Sequence, residues 1–442
     1  MDTPICDFVR RYTESGTLRL HMPGHKGAGP LGIEHLDITE IAGADSLYEA
    51  NGIIAASEAN ASALFGCPTF YSTGGSSHCI QAMLYLCLLH AKRTGRQPLI
   101  AAGRNAHKAL LHAAALLDMD IEWLYPEDSN SYLSCSISAE DLDRALANMS
   151  EKPAAVYVTS PDYLGNMLDI AALAEATHRH GCLFIVDNAH GSYLKFLPGS
   201  LHPMDLGADL CCDSAHKTLP VLTGGAYLHT SPALSGYAKN VLALFGSTSP
   251  SYLILQSLDA ANQYLSDGYR ERLSAAVKAV QGCKARLAAH GFVFSGSEPI
   301  KLTIDAKRCG YYGTELADLL RKAHIECEFS DPDYLVLMVT PETGDEGLNR
   351  LEKALVGIPR CPALSDRPPH LHIAKRVMGI RAAALSPFET ICVSDSIGRV
   401  LAAATVGCPP AVPIIVCGEQ IDEETVQHFR YYGIEECCVV SE

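Results

Sequence analysis

No CxxC pair occurs in the 442 residues, although the chain has 17 cysteines. That absence excludes the paired-thiol zinc motifs, and the odd total argues against a disulfide framework. The doublets Cys211-Cys212 and Cys437-Cys438 cannot easily close on themselves. The expectation is buried, reduced thiols in the cytoplasm, with no metal site. Positive charge is also scarce: 34 Lys and Arg against 50 Asp and Glu leave a formal charge of -16. Nucleic acids and anionic membranes need a cationic surface, so neither is an expected partner. No uncharged apolar run is long enough to span a bilayer. The start, Met1-Asp2-Thr3-Pro4, has no basic stretch followed by an apolar one, so no signal peptide is expected. Internal repeats and low-complexity tracts are missing as well.

What remains is a compact composition, 48% hydrophobic and 19% charged. The length exceeds one ordinary core. From residue 52 to 230, apolar β-type runs alternate with helical stretches. The strand candidates are Thr69–Ser72, Pro98–Ala102, Ile121–Tyr125, Ala154–Thr159, Cys182–Val186, Leu210–Asp213 and Gly225–His229. Near-continuous apolar strands of this kind predict an α/β domain with a mostly parallel sheet covered on both faces. One long helical stretch is expected from Ser251 to about His290. A small α/β unit follows, then a proline-rich linker at Pro359–Pro369. The last segment is read with one helix from Ala382 to about Ala402. Three domains are drawn: an N-terminal arm with the large domain (1–260), a small domain (261–358) and a C-terminal domain (359–442).

Ligands in such sheets bind at the carboxyl ends of strands, and several motifs fall there. Lys217, in Ser214-Ala215-His216-Lys217-Thr218, follows the run ending at Asp213. Partial desolvation makes a lysine a nucleophilic amine able to form a Schiff base, including one with pyridoxal phosphate. Asp187 ends the apolar run Leu183-Phe184-Ile185-Val186. A carboxylate there is unfavourable without a partner, and a pyridinium nitrogen is one such partner. Thr73-Gly74-Gly75-Ser76-Ser77, between a strand and a helix, has the makings of a phosphate cradle. His107 follows another strand end and could stack on a flat ring. Taken singly, each has an ordinary reading: a surface lysine, a loop-capping aspartate, a glycine turn with a serine cap, a loop histidine. The histidines of His21-Met22-Pro23-Gly24-His25 are spaced by four, but proline and glycine between them exclude a zinc-binding helix.

The order of the pieces lifts them above those readings. The chain resembles fold type I pyridoxal-phosphate enzymes, and more narrowly the bacterial Orn/Lys/Arg decarboxylase family in its short form, without an N-terminal wing domain. The resemblance rests on HMPGHKG at 21–27, DITEIAGADSL at 37–47, DNAHG at 187–191, SAHKTLPVLTGGAYLH at 214–229, STSPSYLILQSLDAA at 247–261 and PPAVPIIVCGE at 409–419. It implies an aminotransferase-like large domain with a seven-stranded sheet, and pyridoxal 5'-phosphate as cofactor. By the same resemblance Lys217 would carry the Schiff base, Asp187 would face the pyridine nitrogen and His107 would stack on the ring. Gly75, Ser76, Ser77, Ser214 and His216 would hold the phosphate, and His190 would belong to the cofactor surroundings. Thr248 would reach the phosphate of a neighbouring subunit in a cytoplasmic homodimer with shared active sites. Glu419 would meet the distal cationic group of the substrate. The implied activity is decarboxylation of arginine, lysine or ornithine, with arginine slightly preferred, in polyamine biosynthesis. Another pyridoxal-dependent reaction (aminotransfer or a different lyase step) and a non-catalytic homologue are the alternatives. Asn188, Cys408 and Ala411 depart from the usual glutamate, tyrosine and glycine, and the last two lie near Glu419.

Overall fold

The structure, a computed structural model, describes residues 1–126, 131–403 and 412–441, and 407 and 408 by their backbone alone. All seven expected strands are present: β1 (Thr69–Ser72), β2 (Leu99–Gly103), β3 (Asp120–Leu124), β4 (Ala155–Thr159), β5 (Leu183–Asp187), β6 (Leu210–Asp213) and β7 (Ala226–Thr230). They form one sheet in the order β1-β7-β6-β5-β4-β2-β3. The pairs β2–β3, β2–β4 and β5–β6 are parallel, whereas β7 runs antiparallel to both β1 and β6. The helices up to the strand-β6 turn are α1 (Pro4–Glu14), α2 (Ile53–Phe65), α3 (Gly75–Thr94), α4 (Lys108–Leu117), α5 (Ala139–Asn148), α6 (Ile170–Arg179) and the four-residue α7 (Ala215–Thr218).

Local chemistry sets their ends. Ser138 caps α5 by accepting the Asp141 N–H, and Asp169 caps α6 by accepting that of Ala172. Gly66 ends α2 at φ +74°, in the left-handed region that glycine adopts without a Cβ penalty.

Contacts divide the chain into two compact units. The first is Met1–Leu86 with Leu183–Arg272, and the second is Cys87–Cys182 with Leu273–Glu442. The first unit holds β1, β5, β6 and β7; β6 and β7 are buried along their whole length. The second holds β2, β3 and β4 and a small antiparallel sheet in the order Phe329–Ser330, Tyr334–Met338, Lys301–Asp305, Phe294–Ser295. One apolar cluster of this unit packs Leu302, Ile304, Leu316, Leu320 and Leu335, and another packs Val336, Ile414, Ile415, Phe429 and Val439.

Two expectations need correction. The stretch from Ser251 is two helices, Tyr252–Ser266 and Tyr269–Ala289, because the chain turns at Asp267–Gly268 with Gly268 at φ +67°. The helix expected from Ala382 to Ala402 is a short helix, Ile380–Ala384, followed by a strand, Phe388–Cys392, paired antiparallel with Glu436–Val440. Pro387 blocks helix continuation, and Thr390 and Ile391 favour the extended form. Pro359–Pro369 has no regular structure and lies within the second unit, where Leu364 N–H donates to Lys307 O and Asp366 pairs with Lys307.

Phe184, on β5, is fully buried. Phe184→Ala should lower unfolding free energy by about 3–5 kcal/mol, read from the shift of the denaturant midpoint.

Candidate active site

In the first unit, apolar strand bodies leave polar groups only at their ends. β5 ends on Asp187, which stands level with Cys212 of the parallel neighbour β6. Asp187 is buried, and its Oδ1 accepts the Ala189 N–H at 3.2 Å and faces the Cys212 thiol at 3.5 Å. Past β6, the single turn α7 carries His216 and Lys217. Lys217 Nζ donates to His190 Nε2 at 3.1 Å, and His190 is itself buried. The amine therefore stands against an imidazole, within a few residues of a buried carboxylate on each strand.

The Gly75–Ser76–Ser77 turn opens α3, so these residues form the N-terminus of a helix. Ser214 Oγ donates to Ser76 Oγ at 2.7 Å. Gly75 sits at φ +69°, and its N–H donates to Gly224 O at 2.8 Å. His216 Nδ1 donates to Gly225 O at 3.0 Å. The Gly224-Gly225 pair ahead of β7 thus ties the α3 turn and the α7 turn together. Ser77 is exposed on the same helical turn. Thr248 is exposed, and among the described hydrogen bonds it meets none of these residues.

His107 and Glu419 belong to the second unit. His107 caps α4, its Nδ1 accepting the Ala109 N–H at 3.1 Å. The ring is thereby fixed in orientation, with Nδ1 occupied. Glu419 is buried, with Oε2 accepting the Val416 N–H at 2.8 Å. Burial raises its proton affinity, and the Arg104 guanidinium, 3.9 Å away, acts in the other direction. Cys408 is described by its backbone only, and Ala411, with Pro409 and Pro410, lies outside the described residues.

Arg104 was not singled out by its sequence context. It is buried, donates to the carbonyls of Pro413 at 2.8 Å and Ile414 at 2.7 Å, and lies over the Trp123 ring at 5.2 Å. An arginine after a strand end gives no local sign of partners this far along the chain. Asn188 and Asp213 were likewise unremarked as a pair; the amide Nδ2 donates to the carboxylate at 2.7 Å.

The donor set fits pyridoxal phosphate. Two serine hydroxyls, an imidazole and a helix N-terminus are phosphate chemistry, and a lysine amine near a buried carboxylate serves the aldehyde and the ring nitrogen. Gly75 leaves room as well, since a Cβ there would meet only His216 Cε1, at 4.0 Å.

Comparison with known proteins agrees. Residues 3–306 match the model of the Orn/Lys/Arg decarboxylase major domain. Arginine decarboxylases of Bacillus subtilis and Halalkalibacterium halodurans are each 28% identical, with 97% of this chain aligned to 93% of theirs. An uncharacterised Bacillus subtilis protein, YaaO, is equally similar. Among solved structures, the Francisella novicida lysine decarboxylase LdcF superposes with a TM-score of 0.80 at 16% identity, over 99% of this chain and 81% of that one. The constitutive lysine decarboxylase of Escherichia coli gives 0.78 at 16% identity, over 100% and 82%. The expected fold type I architecture is borne out. The chain belongs to the Orn/Lys/Arg decarboxylase family and is a pyridoxal-phosphate-dependent amino-acid decarboxylase.

Proposed function

We propose that the chain decarboxylates a basic amino acid, arginine first among the three, to the corresponding amine and carbon dioxide, with Lys217 as the amine that holds the cofactor aldehyde. The observation that carries this reading is Lys217 Nζ against His190 Nε2, the lysine on the turn after β6 and the histidine just past β5, which ends in the buried Asp187. Two of the aligned relatives are named arginine decarboxylases, which supports the preference for arginine.

The cofactor, when bound, supplies a sink for the electron pair left by the departing carboxylate. The residues of the chain supply everything else. Asp187, buried at its strand end, would stabilise a proton on the ring nitrogen of the cofactor. Ser76, Ser77, Ser214 and His216, with Gly75, hold the phosphate. His107, its ring fixed by the cap bond at Nδ1, stacks on the cofactor. His190 accepts a hydrogen bond from Lys217 Nζ and so keeps that amine oriented; Lys217 or a histidine beside it returns a proton to the substrate carbon. Glu419 offers a carboxylate to the distal guanidinium or ammonium. Its hydrogen bond from Val416 N fixes its direction.

Thr248, exposed and apart from the other site residues, suits a role at a neighbouring subunit's phosphate in a homodimer. The described cysteines are free thiols, which suits a cytoplasmic enzyme supplying polyamine biosynthesis. The three-domain division at 260 and 358 is part of the same reading.

Purified protein should be yellow, and Lys217→Ala should lose both the visible absorbance and turnover; an active, yellow variant overturns the assignment. A panel of arginine, lysine and ornithine, assayed for carbon dioxide and amine, should favour arginine, whereas a keto-acid product would point to aminotransfer. Tight cofactor binding with no turnover on any of the three would point to a non-catalytic homologue. Glu419→Gln should raise KM for the basic substrate by roughly 10- to 100-fold with a smaller change in kcat, because one charge-assisted contact is lost.

A further inference from the structure

Asp213 ends β6 one residue before Ser214 and is fully buried, yet the proposed chemistry makes no use of it. An isolated carboxylate in such a place is strongly unfavourable, so its partners define its role. Three come from outside β6. Asn188 Nδ2 donates to Oδ1 at 2.7 Å. His202 Nε2 lies 3.2 Å from Oδ2, and His229 Nε2 lies 3.2 Å from the same oxygen. Both histidines are buried, and the Phe65 ring packs against them at centroid distances of 5.5 and 4.6 Å.

The surrounding hydrogen bonds assign the protons. Thr69 Oγ1 donates to Cys67 O at 3.0 Å, so it can only accept from His229 Nδ1, 2.9 Å away. His229 Nε2 stands against the carboxylate as an ion-pair contact. Burial opposes a charge on this ring and Asp213 favours it, and the balance raises the pKa. His202 differs. Its Nδ1 accepts the Met204 N–H at 3.4 Å, which places the proton on Nε2 and makes it a neutral donor to Asp213. His202, Cys211 and Asp213 do hold ligand atoms within 4.8 Å of one another, but a metal would need that Nε2 bare. The carboxylate is thus surrounded by two imidazoles, an amide and a thiol.

We propose that Asp213, gripped by His202, His229 and Asn188, is a positioning residue that fixes the Ser214–Lys217 turn against Asp187. The proposal rests on the cofactor reading above for its consequence, and on geometry for its mechanism. Asn188 follows Asp187, and its backbone N–H also donates to Cys212 O at 3.0 Å. Asp213 precedes Ser214, whose carbonyl accepts the Lys217 N–H at 3.0 Å. One side-chain hydrogen bond thus joins the residue after the ring-nitrogen carboxylate to the residue before the phosphate serine. His229 on β7 and His202 from the segment before β6 hold that joint from two further directions. The arrangement also accounts for Asn188 where the family pattern has glutamate: a carboxylate at 188 would stand against Asp213, while an amide donates to it.

The test uses the holoenzyme with Asp213→Asn and His229→Gln. His229→Gln removes the imidazole that faces Asp213, and it decides the matter if Asp213→Asn does not fold. Both variants should keep the far-ultraviolet circular dichroism of the parent. Both should shift or shrink the visible circular dichroism band of the lysine-bound cofactor, raise the cofactor dissociation constant several-fold, and speed amide exchange over residues 213–218 in cofactor-stripped protein. A lower Tm with the visible band, dissociation constant and exchange unchanged would reduce the cluster to a stability element and overturn the proposal. The exchanged pair Asn188→Asp with Asp213→Asn should fail to restore the band, since the charge then stands away from His202 and His229; restoration would also overturn it. A parent protein with no visible band contradicts the cofactor reading instead, and the exchange measurement still judges the positioning role.

Discussion

The parallel register that sets Asp187 level with Cys212 constrains everything in the first unit. Two adjacent strands with dry, apolar bodies can carry polar groups only where they end, and parallel strands end together. Asp187 and Asn188 leave one strand where Asp213 and Ser214 leave the next. Asp187, Ser214 and Lys217, the residues proposed to meet the cofactor, are therefore neighbours by topology, before any side chain is placed. β7 joins from the other direction, antiparallel to β6, and the Gly224-Gly225 pair before it reaches both the α3 and the α7 turns through backbone hydrogen bonds.

That geometry carries an electrostatic load. Two carboxylates, at 187 and 213, are buried in one unit, and each calls for a cationic or donating partner. Asp213 finds its partners within the protein. Asp187 has the N–H of Ala189 and the Cys212 thiol among its partners. In the proposed reading, one carboxylate of these strand ends is held by the protein's own side chains and the other meets the cofactor ring.

Much of this was legible in the residues. All seven strands of the large sheet stand where apolar runs of four to six residues occur, because a strand buried on both faces must be apolar along its length. The candidate lysine, aspartate and serines were found because strand ends are where such groups have a use. What escaped was whatever depends on distant pairing. Phe388–Cys392 pairs as a strand with the distant Glu436–Val440, a partner that a helical reading of the local pattern does not show. The break at Gly268 hides within a stretch of good helix formers. His202 and His229 are 11 and 16 positions from Asp213, on a separate turn and strand, and no spacing rule joins them. Asn188 looked like a departure until the carboxylate it serves was seen.

Arg104 has a consequence for how the chain is made. Its guanidinium is satisfied by a carbonyl 310 residues further along, at Ile414, and by a second at Pro413. At about 5–20 residues per second, the ribosome needs roughly 15 to 60 s to supply those partners after Arg104 has been added. Throughout that interval β2 and β3 can pair, but the arginine at the end of β2 must stay hydrated. The guanidinium consequently meets these two carbonyls only once residues 413 and 414 have emerged.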